Sequence, residues 1–139
     1  MTTISPAIQI RNILASAVGT TGWTYAAGGF LTTPDQQVIV RHAGGKPAEI
    51  AVAIDYPSVQ LLVRGGQSQG KYEGAYDQII ACRDALLYIP SKNVLFPNLM
   101  ACKTLGDVLD LGEDDKSRPM FSLNLSLILM YPGSSGYRY

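Results

Sequence analysis

Hydrophobic and polar positions alternate most regularly near the end of the chain. From Phe121 to Tyr131 every second residue is Phe, Leu or Tyr, and the intervening positions begin with serine and asparagine. A two-residue period is typical of a β-strand with one buried face. The pattern predicts a long strand. Because Ile128 and Met130 make its last part apolar on both sides, we expect another element or another subunit to cover that part.

The middle of the chain, from Ser58 to Ile89, predicts a strand, a glycine-rich turn and a helix. Residues alternate over Ser58–Arg64, which predicts a half-buried strand. Its apolar face carries Val59, Leu61 and Val63, and the opposite face carries Gln60, Leu62 and Arg64. After Gly65–Gly70 the apolar residues recur at three- and four-residue steps, which predicts an amphipathic helix ended by Pro90. Its apolar stripe is Tyr72, Ala75, Tyr76, Ile79, Cys82 and Leu86.

Turn and cap residues divide the rest of the chain. Ser5 and Pro6 predict the start of a first helix, which Gly19 ends. Further predictions are an irregular or bulged strand within Gly22–Thr33, a short strand Gln37–Arg41 ending at Gly44-Gly45, a strand Ala48–Ile54, a loop Ser91–Lys103 and a turn Gly112–Pro119. Pro57 either bends one edge strand or joins two strands at a kink. This order predicts an α+β fold, a single mainly antiparallel sheet with two helices packed on one face.

Composition changes this picture in few respects. A chain of 139 residues predicts one domain, residues 1–139, with a flexible C-terminal tail from about residue 132. Lys+Arg and Asp+Glu number 11 each, so there is no basic excess for nucleic-acid binding. The charged fraction is only 16%, which indicates subunit contacts.

Cys82 and Cys102 are expected to be free thiols. No apolar run approaches the ~20 residues of a membrane span, so we expect a cytosolic protein without membrane contact, unless it leaves within a particle.

One stretch resembles the start of a phosphate-binding P-loop. Gly65–Lys71 has the glycine and lysine spacing of that motif and lies between a predicted strand and helix. However, Tyr72 stands where a Ser or Thr should hold magnesium, and the predicted antiparallel strands do not suit a parallel nucleotide-binding sheet. The alternative interpretation is a solvent-exposed turn in which glycines adopt unusual backbone angles.

Other chemistry is weakly indicated. His42 is the only histidine, which excludes metal sites built on histidine pairs, and we expect it on the surface. Glu113-Asp114-Asp115 lacks the alternating ligands and distal Glu of a calcium loop, and a solvated turn is the simpler interpretation. The sequence therefore predicts no catalytic residue, no metal site and no cofactor.

Several segments in order resemble the tail terminator and minor capsid family of long-tailed bacteriophages, over roughly residues 30 to 130. The segments are Pro34-Asp35, Val38-Ile39-Val40 with Gly44-Gly45, Tyr56-Pro57-Ser58-Val59-Gln60-Leu61-Leu62-Val63-Arg64-Gly65, the helix through Tyr76, Ile79 and Leu86, and Arg118-Pro119-Met120-Phe121-Ser122-Leu123-Asn124-Leu125. The resemblance implies a structural virion protein, not an enzyme. It also implies a hexameric ring at the head-proximal end, or neck, of a phage tail.

In that role the ring stops tube growth and joins the tail to the head connector. The implied partners are copies of the same chain, the tail tube protein and the head connector or stopper protein, with DNA passing through the lumen. Location would be the virion, after assembly in the host cytoplasm. Expected contact residues are Gln60, Arg64, Gln67, Lys71, Ile128, Met130, Tyr131, Tyr137, Arg138 and Tyr139.

Three alternatives stay open at this point. One is a nucleotide- or phosphate-binding domain built on Gly65–Lys71. Another is a different neck or head-completion ring subunit. The third is a connector subunit that contacts DNA, which requires Arg41, Arg64 and Arg138 to line a common lumen.

Overall fold

The computed structural model of the chain describes residues 5–49, 54–67, 71–87 and 98–130. For residues 46–49 it describes the backbone alone. It contains two helices and six strands. They are α1 (Pro6–Ala17), β1 (Thr24–Ala27), β2 (Gln37–Glu49), β3 (Ile54–Arg64), α2 (Lys71–Leu87), β4 (Leu99–Thr104), β5 (Leu109–Glu113) and β6 (Pro119–Met130).

All six strands belong to one sheet. Its order is β1-β2-β3-β6-β4, and β5 pairs with the start of β6 while β4 pairs with its later part. β1 runs parallel to β2, and every other strand pair is antiparallel. The predicted α+β class with a mainly antiparallel sheet is confirmed.

The first helix, α1, begins and ends where local chemistry favours it. The Ser5 side chain accepts a hydrogen bond from the Ile8 amide (3.3 Å), Pro6 occupies the first turn, and Gly19 beyond the helix has a φ of +96°. α2 covers the predicted amphipathic stretch. Pro90, the predicted end of that helix, lies outside the described residues.

The core lies between the two helices and one face of the sheet. Strand residues at alternate positions pack against the buried stripes of α1 and α2, which confirms that both helices lie on the same face. Fully enclosed members are Ile10, Leu14, Val38, Val40, Val59, Leu61, Val63, Ile79, Cys82, Leu86, Leu123, Leu125 and Leu127. The predicted apolar face of β3 and the long strand β6 are therefore both confirmed.

The β2–β3 hairpin differs from its prediction. β2 continues past Gly44 and Gly45 to Glu49, and Glu49 pairs with Ile54, so a separate strand Ala48–Ile54 is wrong. The predicted end at the glycines fails because they form an irregularity within the ladder, with φ of +86° and +131°. A side chain at Gly45 would overlap the backbone of β3 at Tyr56.

Pro57 lies inside β3, opposite Gly45 at this irregularity. A proline cannot donate to a regular ladder, and the irregularity of β2 is where that loss is tolerated. β3 is therefore one strand through Pro57, as one of the two alternatives proposed. It is a central strand between β2 and β6, however, and the prediction of an edge strand is wrong.

The predicted loop Ser91–Lys103 is also wrong in its last part. Leu99–Thr104 forms β4, which pairs with the end of β6 and brings Cys102 opposite Leu127. Leu99 is the one fully buried residue of β4. The segment therefore lacks the alternation of buried and exposed positions from which a strand is predicted. Residues 91–97 lie outside the described residues.

The second face of the sheet is covered at one end by the segment between β1 and β2. Ile39 and Leu62 are buried on this face although neither belongs to the core beneath the helices. Gln37 and Arg64, paired across β2 and β3 on this same face, are buried as well. Neither helix of the described residues is long and apolar enough to cross a membrane.

Candidate functional site

Arg64 is buried beneath the loop 28–36, which connects β1 to β2. Its guanidinium donates to the carbonyl oxygens of Leu31 (2.6 Å), Pro34 (2.8 Å) and Asp35 (3.0 Å), and its Cζ lies 4.9 Å from the centre of the Phe30 ring. Only 3% of Arg64 is exposed. Arg64 was predicted to be a contact residue, but within this subunit the loop covers its side chain.

Arg118 holds the same loop from the start of β6. It donates to the Thr32 carbonyl (2.8 Å), to the Asp35 carboxylate (3.2 Å) and to the Asp114 carboxylate (2.7 Å), and only 4% of it is exposed. Gln37 completes the attachment with bonds to both backbone groups of Leu31. These side chains tie loop 28–36 to the ends of β2, β3 and β6.

The charges in this cluster shift one another's ionisation. Burial lowers the pKa of Arg64, and the neighbouring Arg118 adds to that effect. Burial acts to raise the pKa of Asp114, but hydrogen bonds from the Arg118 amide and guanidinium and from the Lys116 amide outweigh it, so the pKa lies below its usual value. Asp114 therefore keeps its negative charge beside Arg118.

Gly65 and Gly66 do not form a phosphate cradle. A side chain at Gly65 would meet Ala75 and Pro119 at 3.0 Å, and the Lys71 side chain covers Gly66. Both glycines are buried, and neither lies at the positive φ that favours glycine, so the interpretation as an exposed turn with unusual angles is wrong for these two. Glycine is needed there for close packing. β3 also lies between two antiparallel neighbours, which a P-loop sheet does not have.

The other predicted contact residues have mixed environments. Gln67 and Lys71 are exposed at the start of α2, and the Gln67 amide donates to Asp35 (3.3 Å). Gln60 is half-buried and accepts from exposed Arg41 (2.7 Å). Ile128 and Met130 are half-buried at the end of β6. Tyr131, Tyr137, Arg138 and Tyr139 lie outside the described residues.

The exposed sheet edge at β5 was not predicted. Every residue of β5 is exposed, and β5 pairs with β6 on one side only among the described strands. Leu109 and Leu111 are 59% and 43% exposed, which is unusual for leucines on a strand. The alternation Leu109-Asp110-Leu111 before the predicted turn was the available signal, but it is too short to stand out.

Further apolar side chains lie on or beside the same edge of the sheet. Tyr72 and Tyr76 of α2, which were predicted on the buried stripe, are 46% and 41% exposed and pack their rings edge-on against Phe121. The Tyr72 hydroxyl donates to Asp110 of β5 (2.9 Å), and this bond raises its pKa. The described chain has eight exposed large hydrophobic residues, and six lie here: Tyr72, Tyr76, Met100, Leu105, Leu109 and Leu111.

The described residues give little indication of a reactive thiol or a metal site. Burial raises the pKa of both the Cys82 and the Cys102 thiol to about 12, and both are free, as predicted. Within the described ranges, three or more His, Cys, Asp or Glu side chains nowhere group closely enough to hold a metal ion. His42 is exposed on β2.

Comparison with known proteins identifies a family. Residues 18–131 match the model of a family described as bacteriophage tail terminator protein. No curated protein matches the chain with significance.

Proposed function

Since the chain belongs to the bacteriophage tail terminator family, we propose that it forms a homo-oligomeric ring of six subunits on the head-proximal end of a tail tube. In this proposal the ring ends tube growth and then joins the tail to the head connector. The family supports a structural protein of the phage tail. The ring, its stoichiometry and the connector contact are the proposal.

The observation that carries the proposal is the exposed edge at β5. The described residues enclose one core, yet six of their eight exposed large hydrophobic side chains lie on or beside the sheet edge formed by β4 and β5. Concentrated exposed apolar groups on a small domain mark an interaction site. An edge strand is also a site for pairing with another chain. A subunit whose edge is covered only after assembly fits a protein that works as a ring.

Other features support separate parts of this role. Loop 28–36 is held rigidly by Arg64 and Arg118, and it presents Leu31, which is 59% exposed. A preorganised loop with an exposed leucine suits docking on a rigid partner such as the tube end. We place Gln67 and Lys71 in the same contact. Gln60, Ile128, Met130 and Tyr131 stay proposed contacts between subunits.

No observation favours a nucleotide-binding domain, and catalysis is not needed for the proposed role. The alternative in which arginines line a DNA-containing lumen lacks one of its members, since Arg64 is enclosed by loop 28–36. A different neck ring remains the second candidate, because the exposed edge favours ring formation without specifying which surface the ring caps.

Capping of tail tubes tests the proposal. The purified chain is added to polymerising tube protein, and tube lengths and ends are measured by negative-stain electron microscopy. We expect a ring on one end and no further growth when more tube protein is supplied. Solution mass, with and without tubes, determines whether six copies are present.

The same assay tests the role of the β5 edge. The double variant Leu109→Ser/Leu111→Ser should fold normally but fail to cap. Leu87→Ser, which changes a 39% exposed leucine at the other end of α2, should cap like the parent chain. Tubes that elongate from both ends with the unmodified chain would contradict the terminator role.

A further inference from the structure

The β5 edge, defined as Asp107–Glu113, is acidic as well as apolar. Three of the chain's 11 acidic residues, Asp107, Asp110 and Glu113, lie on this edge with no basic residue among them, although the formal charge of the whole chain is zero. Arg118, the nearest arginine, is buried and paired with Asp114, so it does not neutralise this edge. An extended segment that carries both a cation and apolar side chains would complement it.

The faces of β5 are known from its pairing. Leu109 lies opposite Ser122, on the sheet face away from the helices, and Asp110 lies opposite Phe121, on the helix face. An extended strand beside β5 would therefore need apolar and basic residues at alternating positions. The Tyr137-Arg138-Tyr139 segment has this pattern, with two tyrosines at i and i+2 and an arginine between them. Arginine pairs well with carboxylates, and tyrosine packs on leucine with its hydroxyl in water.

The distance along β6 argues that this segment comes from another subunit. β5 pairs with Pro119–Ser122, whereas β6 runs on to Met130. Nine to 11 strand residues, about 30–36 Å at ~3.3 Å each, separate Met130 from the partners of Asp110 and Glu113. Arg138 is eight residues past Met130 and spans at most about 29 Å when fully extended. The chain must also reverse direction to return along the sheet, which shortens that span further, so docking on a second copy is favoured over docking on its own β5.

We propose that Tyr137-Arg138-Tyr139 of one subunit docks in extended form along the β5 edge of a second copy. The tyrosines pack on the exposed leucines of the edge, and Arg138 faces the carboxylates of Asp110 and Glu113. This contact is heterologous, so repetition around a rotation axis closes a ring. The inference rests on the proposed self-assembly and adds the segment and surface that make the contact.

Cross-linking between singly substituted chains tests this contact directly. In a Cys102→Ser background, one chain carries Leu109→Cys and the other Tyr139→Cys, and the two are mixed under mild oxidation. We expect a covalent dimer at a yield at least about fivefold above the control pair, Glu73→Cys with Tyr139→Cys. Equal yields for the two pairs would overturn the proposal. Dilution-independent closure within one chain that carries both cysteines would overturn it as well.

A charge exchange provides a second measurement that does not use thiols. Arg138→Glu and Glu113→Arg should each weaken self-association about three- to tenfold in sedimentation velocity, which is the range expected for a charge pair at an interface rim. Their combination should recover most of the loss. Arg11→Glu on α1, whose guanidinium donates to its neighbour Asn12, is the control and should leave association unchanged.

The outcomes separate this inference from the terminator role. If the unmodified chain forms rings and caps tubes but Arg138→Glu associates normally, the docking proposal is wrong and the terminator role stands. If cross-linking and charge recovery succeed but tubes stay uncapped, the docking stands and the terminator role is wrong. A chain that is monomeric at every concentration and forms no cross-link contradicts both.

Discussion

At the scale of residues, two buried arginines determine the shape of one end of the subunit. Arg64 and Arg118 together donate to four carbonyl groups of loop 28–36, at Leu31, Thr32, Pro34 and Asp35. Guanidinium groups suit this task because several N–H donors lie in one rigid plane. The loop carbonyls therefore have partners although they lie over a buried face of the sheet.

Replacing Arg64 should destabilise the fold. Arg64→Ala removes a buried donor from the carbonyls of Leu31, Pro34 and Asp35, of which the first two keep the Gln37 amide, and we expect the free energy of unfolding to fall by about 1–3 kcal/mol in urea titrations. Arg64→Lys should recover only part of this because one ammonium cannot reproduce the planar set of donors. Arg41→Ala, on the exposed part of β2, should change stability by less than about 0.5 kcal/mol. Equal stability of Arg64→Ala and Arg41→Ala would refute the assigned role.

Asp114 should make stability depend on pH. Because its pKa is lowered in the folded chain, its contribution is complete above the ordinary carboxyl pKa of about 4 and is lost as the pH falls through the folded value. Asp114→Asn should cost about 1 kcal/mol near pH 7, given partial solvent screening, and the difference from the parent chain should shrink below pH 4. Unfolding measured at pH 7 and pH 3 checks this, with the exposed Asp115→Asn as control. A difference that is constant with pH would exclude the ion pair as its source.

At the scale of elements, the β2–β3 hairpin depends on an irregularity that only glycine permits. Gly45 has a φ of +131°, and a side chain there would collide with the backbone of β3 at Tyr56 and Pro57. The same irregularity accommodates Pro57 within a central strand. The hairpin is therefore sensitive at this point in spite of its length.

A pair of glycine substitutions tests this dependence. Gly45→Ala should destabilise the chain by about 2 kcal/mol or more, since the backbone must shift and the φ is unfavourable. Gly74→Ala is the matched control, because Gly74 lies within α2 with open space at its Cβ. It should stabilise by about 0.5–1 kcal/mol through helix propensity. Thermal unfolding distinguishes the two, and equal effects would contradict the close approach of β2 and β3.

At the scale of the whole molecule, one core joins both helices to the sheet, while the β5 edge lies outside it. Cys82 is enclosed between α2 and the sheet, and burial raises the pKa of its thiol to about 12. Modification of this thiol therefore requires that the helix separate from the sheet.

Thiol labelling should report this opening. In a Cys102→Ser background, Cys82 should react with a disulfide reagent at pH 8 at least about a hundredfold more slowly than in the chain unfolded by urea, since both access and ionisation are suppressed. An exposed cysteine introduced by Glu73→Cys on the same helix is the control and should react immediately. Rapid labelling of Cys82 in the folded chain would show that α2 is not packed as described.

Local periodicity determined much of the fold. The strand β6, the buried face of β3 and both helices follow from alternation, helical spacing and caps, because these patterns are properties of neighbouring residues. The family resemblance drew on the same segments, and the family match over residues 18–131 confirms it.

Only the tertiary structure decided which polar and apolar positions are covered. Alternation assigns Arg64 to the second face of β3, but the loop that buries it lies about 30 residues earlier, and Thr32 is 86 residues from Arg118. Likewise, Leu109 and Leu111 are apolar, as the residues of a buried strand usually are. They are exposed because β5 is the last strand at its end of the sheet. Burial depends on contacts between segments that are distant in the chain. A local pattern does not indicate which distant segment packs on a given residue.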